Sequence, residues 1–158
     1  ARALRETVAR ERIPVPPVQR ETMGGGFYET VLRPQMMGAQ RSRLIEVAEQ
    51  FLGVPYEWGA SNYKAIDCSN FVQRVYEQLG YSVPAPSQAQ AAMGRPAPLN
   101  ELQVGDLLFY VGAGSRPPGH VAIYIGNGWM IEASSIAGKV RETEVRTNGL
   151  MYVRRILP

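Results

Sequence analysis

The hydrophobic period of this chain switches once, and that switch decides what it can fold into. Up to about residue 93, apolar residues recur at three- and four-residue intervals. In SRLIEVAEQFLG, Leu44, Ile45, Val47, Ala48, Phe51 and Leu52 share one face, which predicts a helix with Ser42 as N-cap and Gly53 as its stop. In CSNFVQRVYEQLG, the spacing of Phe71, Val72, Val75, Tyr76 and Leu79 predicts a second helix, ended by Gly80. A turn-rich SVPAPS leads into a short helix in SQAQAAM. Beyond GRPAPLNELQVG the pattern changes. DLLFYV, HVAIYI, WMIEAS, KVRETEV and YVRRIL are β-branched or aromatic runs of strand length, separated by Gly, Pro and Asn. Helices followed by an antiparallel meander of about five strands give an α+β class, with the helices packed on the sheet.

Length and charge narrow the function classes. With 158 residues, 45% apolar and 20% charged, the chain suits one ordinary globular domain. No run approaches the roughly 18 apolar residues of a membrane span. The net charge of +3 is uneven: residues 1–43 hold eight Arg and four Glu, and the remainder holds nine basic and ten acidic residues. The basicity belongs to the N-terminal segment, so the basic stripe of a nucleic-acid-binding module is missing from the body. Residues 1–41 read as a linker or pro-segment and residues 42–158 as the folded domain. ARALRETVARER suits a short helix, IPVPPVQ an extended polyproline-like stretch, and MGGGFYET a flexible one. The chain starts at Ala1 with neither a methionine nor a secretory signal, so removal of a targeting segment is expected. A single Cys forbids an internal disulfide, and one Cys with one His cannot build a typical zinc site. No metal or cofactor is expected.

The lone cysteine, Cys68, falls at the start of the second helix. There the partial positive charge and free N–H groups favour thiolate over thiol and offer donors to an oxyanion. Asp67, just outside, suits a helix cap. The competing reading is a small buried hydrophobe, the usual fate of a lone cysteine.

His120, the only histidine, opens a strand after a Gly/Pro loop. The Gly126-Asn127-Gly128 turn predicts a hairpin. If it centres on Asn127, residue 122 faces 132 and residue 120 faces 134; a shifted register pairs 120 with 132. Either way His120 and Glu132 share a face within side-chain reach. Glu132 sits between Trp129-Met130-Ile131 and Ala133, an odd place for a charge without a partner. It is suited to accept the imidazole N–H and fix the tautomer. The plainer reading is a solvent-facing glutamate.

Cysteine on a helix start, then histidine and an acid on adjacent strands, is the thiol-protease arrangement. In order, GVPYEWGA, DCSNFVQRVYEQLG, VPAPSQAQ, LQVGDLLFY and GHVAIYIGNGWMIEA resemble the NlpC/P60 family of cell-wall cysteine peptidases over about residues 42–157. The acid at Glu132 and the tail VRTNGLMYVRRI resemble most the secreted Rip-type endopeptidases of mycobacteria and related actinobacteria. The resemblance implies a papain-like core and cleavage of peptidoglycan stem peptides between D-γ-glutamyl and meso-diaminopimelate residues. It implies Cys68 as nucleophile, His120 as base and Glu132 as orienting residue, with Tyr56, Asp67 and Ser69 contacting substrate and Trp58 packing. It further implies a secreted or wall-associated monomer, other cell-wall enzymes as partners, and an N-terminal segment that covers the cleft. Asn70, Ala60 and Ala85 depart from the family pattern. A non-catalytic wall-binding module is the rival from another class. A wall-degrading toxin or a phage lysin would share the chemistry.

Overall fold

The structure is a computed structural model. It describes residues 33–158 apart from Ala113 and Ser115, with side chains from residue 37 onward. The expected N-terminal helix, polyproline stretch and cleft cover therefore lie outside the described residues.

Helix α1 spans Arg33–Glu49, α2 Cys68–Gln78 and the single turn α3 Ser87–Gln90. The start predicted at Ser42 is wrong: among the described residues the helix already runs for nine residues before it. Ser42 lies buried inside α1, and the boundary drawn between 41 and 42 cuts this helix. The stop is nearer the mark: α1 ends at Glu49, turns follow, and Gly53 at φ +86° turns the chain so that its N–H donates to the Val140 carbonyl at 2.9 Å.

The strands are β1 Arg95–Pro96, β2 Leu107–Tyr110, β3 His120–Gly126, β4 Trp129–Ser134, β5 Lys139–Glu144 and β6 Leu150–Arg155. Among the described residues they form one antiparallel sheet of six strands, ordered β1-β6-β2-β3-β4-β5. The expected meander holds from β2 to β5. The last strand does not extend it: β6 crosses back to pair with β2, and β1 adds a two-residue edge that sequence reading missed. Local periodicity marks strands but not which distant strand each one joins.

Alternation sorts the side chains onto two faces. Leu107, Phe109, Val121, Ile123 and Ile131 pack in the main core with Leu44, Phe51, Phe71 and Val75. Leu108, Tyr110, Ala122, Tyr124, Met130 and Val153 form a smaller cluster on the other face. Phe71, Val72, Val75 and Tyr76 are fully buried along α2. Burying each such side chain is worth roughly 1.5–3 kcal/mol, which fixes the first residue of α2 relative to the sheet.

Candidate active site

Three chain segments meet where α2 begins and β3 opens. Asp67 is the N-cap of α2: its Oδ1 accepts from the Asn70 N–H at 2.9 Å. Its Oδ2 accepts from the Gly59 N–H at 2.9 Å, which ties down the loop carrying Tyr56 and Trp58. Ser69 donates to Asp67 Oδ1 at 3.4 Å. Asp67 and Ser69 are buried but both line the cleft, so the carboxylate expected to meet substrate is already engaged in capping. Asn70 has a structural role: its Nδ2 donates to the Ala60 carbonyl at 3.2 Å, joining helix to loop.

Cys68 is 8% exposed, and its Sγ lies 4.0 Å from the carbonyl of Gly119, the residue before His120. Burial pushes the thiol up to about 11; the backbone N–H groups of Val121, Ser69 and Cys68 pull the other way, and the Asp67 charge raises it further. Desolvation thus outweighs the pull of the helix N-terminus and opposes the thiolate that the helix end alone favours. A thiol raised in this way depends on a base for its ionisation. Tyr56 lines the cleft beside it, its phenol raised by burial and by the Cys68 and Asp67 charges.

The hairpin register matches the first of the two alternatives, with Ile123 opposite Ile131 and Tyr124 opposite Met130. Asn127 takes φ +54° at the turn. His120 and Glu132 are thus diagonal neighbours, and His120 Nε2 lies 2.6 Å from Glu132 Oε1. Glu132 is 0% exposed, so the solvent-facing reading fails. Burial would raise its carboxyl, but hydrogen bonds from His120 and Arg146, and their charges, win and hold it at about 2. An ionised carboxylate only accepts, so Nε2 carries a proton, and in the neutral imidazole Nδ1 is the nitrogen with the lone pair.

Sequence reading missed Arg141 and Arg146. Arg141 Nε donates to Glu132 Oε2 at 3.0 Å; Arg146 donates through two nitrogens, to Oε2 at 3.1 Å and to Oε1 at 2.9 Å. Arg141 sits directly opposite Glu132 on β5, so a β4–β5 register would have found it; Arg146 follows the strand and left no such signal. Trp58, expected to pack, is 86% exposed on the cleft rim.

These side chains line one cleft of about 930 Å³, bounded by Tyr56, Cys68, His120, Arg141 and Arg146. A buried thiol, an imidazole and a fixed carboxylate in one cleft are side chains that can together carry out thiol acyl transfer.

Residues 53–155 match the NlpC/P60 family. The chain belongs to the NlpC/P60 family. It is similar to a protein of Mycobacterium tuberculosis named as a probable endopeptidase, with 34% identity over 124 residues, covering 78% of this chain and 31% of the relative. It is also similar to the peptidoglycan endopeptidase RipB of the same species, with 37% identity over 128 residues, 72% of this chain and 52% of RipB. The solved structure of the M. tuberculosis peptidoglycan hydrolase RipB superposes with a TM-score of 0.71 at 29% identity, over 98% of this chain and 81% of that one. The P60 domain of a Mycobacterium avium subspecies paratuberculosis antigen gives a TM-score of 0.69 at 31% identity, over 78% of this chain and 98% of that one. This chain spans about a third of the mycobacterial probable endopeptidase and about half of RipB. The likeness to solved NlpC/P60 domains agrees with the α+β, papain-like class expected from sequence. No helix among the described residues is long and apolar enough to cross a membrane.

Proposed function

We propose that this domain is a cysteine endopeptidase of peptidoglycan stem peptides, acting at the bond between D-γ-glutamyl and meso-diaminopimelate residues. The observation that carries the reading is the 2.6 Å contact of His120 Nε2 with the buried Glu132, inside the cleft that holds Cys68. The relatives named as peptidoglycan endopeptidases supply the substrate class. The cleft wall supports it: Arg116 lines the cleft, a positive group suited to a carboxylate of an anionic stem peptide. The site of action is proposed to be the cell wall, with the protein a monomer.

In this mechanism His120 Nδ1 takes the Cys68 proton as Sγ attacks the scissile carbonyl carbon. Backbone N–H groups at the start of α2, with the Tyr56 hydroxyl, receive the oxyanion. The C–N bond breaks, Nδ1 gives its proton to the leaving amine, and a thioester remains. Water loses a proton to Nδ1 and attacks the thioester, and Sγ leaves and is reprotonated. Glu132 holds the ring throughout and transfers no proton.

Mass spectrometry of purified peptidoglycan digested by the wild-type chain should show stem peptides cut at one amide bond. Cys68→Ala should abolish that cut. Unchanged turnover in the variant would end the proposal, and wall binding without turnover in both proteins would point to a binding module.

A further inference from the structure

The Glu132 carboxylate is held far more completely than one imidazole requires. Oε1 accepts from His120 and Arg146; Oε2 accepts from Arg141 and Arg146. Four donors on two oxygens fill the acceptor sites of a carboxylate, so the group cannot rotate without losing bonds. Arg146 also reaches the other neighbour of the imidazole. Its guanidinium lies 4.4 Å from the centre of the Tyr110 ring, and its carbonyl accepts from the Tyr110 hydroxyl at 2.8 Å. The Tyr110 ring in turn lies against the His120 ring, centroids 5.9 Å apart and tilted by 43°. Arg146 therefore touches two of the groups that stand against the imidazole, Glu132 and Tyr110. It does so from beyond the end of β5, while Arg141 acts from within that strand.

We propose that Arg146 and Arg141 are positioning residues, which fix the Glu132 carboxylate and through it the plane and tautomer of His120. The assignment rests on the reading of Cys68, His120 and Glu132 as the reacting set. Around Glu132 stand His120 on β3, Tyr110 on β2, Arg141 on β5 and Arg146 after it; Cys68, Tyr56 and Asp67 face the cleft. With two guanidinium groups against one carboxylate, Glu132 keeps its charge and directs it at Nε2. Both arginines also line the cleft, so contact with a substrate carboxylate is the competing role. The two roles differ in what they change. A positioning residue alters the free protein and kcat; a substrate contact alters KM and leaves the resting ring as it was.

His120 is the only histidine, so proton and nitrogen NMR of the ring read it without ambiguity and without substrate. In the wild-type chain the Nε2–H signal should be downfield and slow to exchange. Arg146→Gln should move it upfield and broaden it. Cleavage of isolated stem peptide should lose kcat on the order of tenfold to a hundredfold, the range seen when a partner behind a working side chain is removed, with KM nearly unchanged. Arg146→Lys keeps the charge but not the two-pronged grip, so it should restore part of both. Arg141→Gln makes the same test with one bond lost, and decides the matter if Arg146→Gln does not fold. A ring signal unchanged in the folded glutamine variants, or a rise confined to KM, overturns the proposal. If the ring signal moves as expected but no stem peptide is cut even by wild type, the positioning stands and the substrate reading fails.

Discussion

At the scale of single residues, Cys68 carries a conflict between location and burial. Its place at a helix start favours the thiolate, and its burial favours the thiol; burial wins and sets it at about 11, against an ordinary 9.0. A raised value means the folded state holds the proton longer than the unfolded chain does. The stability this contributes is complete below pH 9 and is lost as pH rises through 11. The expected size is about 2–3 kcal/mol, from 1.36 kcal/mol per unit. Chemical denaturation of wild type and Cys68→Ala at pH 8 to 11 checks this. Wild type should lose about that much more than the variant, since Tyr76 and Tyr110, also raised by burial, lose theirs equally in both. Parallel curves would mean a thiol already ionised at lower pH. The sequence exposed the candidate thiol, imidazole and carboxylate, because single occurrence and strand parity are local properties. It did not expose the upward pull of burial on Cys68, which depends on how deep the packed elements bury it.

Elements show the same division. The shared face of His120 and Glu132 was legible because strand parity holds in both registers the Gly-Asn-Gly turn allows; which of the two registers forms was not, and the one observed places them diagonally. The start of α1 was not, because Ser42 has the chemistry of a cap yet is buried in mid-helix, where tertiary packing overrides propensity. The cap of α2 was legible, and it makes a prediction about the element. Asp67→Ala removes the acceptor for the Asn70 and Gly59 N–H groups at once. Loss of a cap costs about 1 kcal/mol and up to about 2, and the freed loop should place this variant at the upper end. Asp67→Asn keeps an oxygen for only one of the two donors and should fall between. Thermal melts of the three proteins read the order. An alanine variant as stable as wild type would mean that water replaces both bonds without penalty, and that the buried carboxylate is held for substrate.

For the whole molecule, the cleft is what the topology makes and the sequence hides. Tyr56 and Trp58 come from the loop before α2, Ser87 from α3, Val111 and Arg116 from the β2–β3 connection, and Ile136 from the β4–β5 turn. Ser87 donates to the Pro118 carbonyl at 2.8 Å, and Gln88 to the Pro118 and Arg116 carbonyls at 3.0 and 2.8 Å, so two walls are laced together. Those contacts join segments some thirty residues apart, beyond the reach of any periodicity. The rim is apolar at three points, Val111 at 47%, Trp58 at 86% and Ile136 at 94% exposed. A tryptophan this exposed adds little to folding, because the apolar area it removes from water is small. Its area becomes useful when something lies in the cleft. Trp58→Ala should therefore leave the unfolding free energy within about 0.5 kcal/mol of wild type. KM for stem peptide should rise several-fold while kcat stays unchanged, because the loss falls on ground state and transition state alike. Paired steady-state kinetics and denaturant melts make the measurement. A clear loss of stability with an unchanged KM would return Trp58 to the packing role its sequence context suggested.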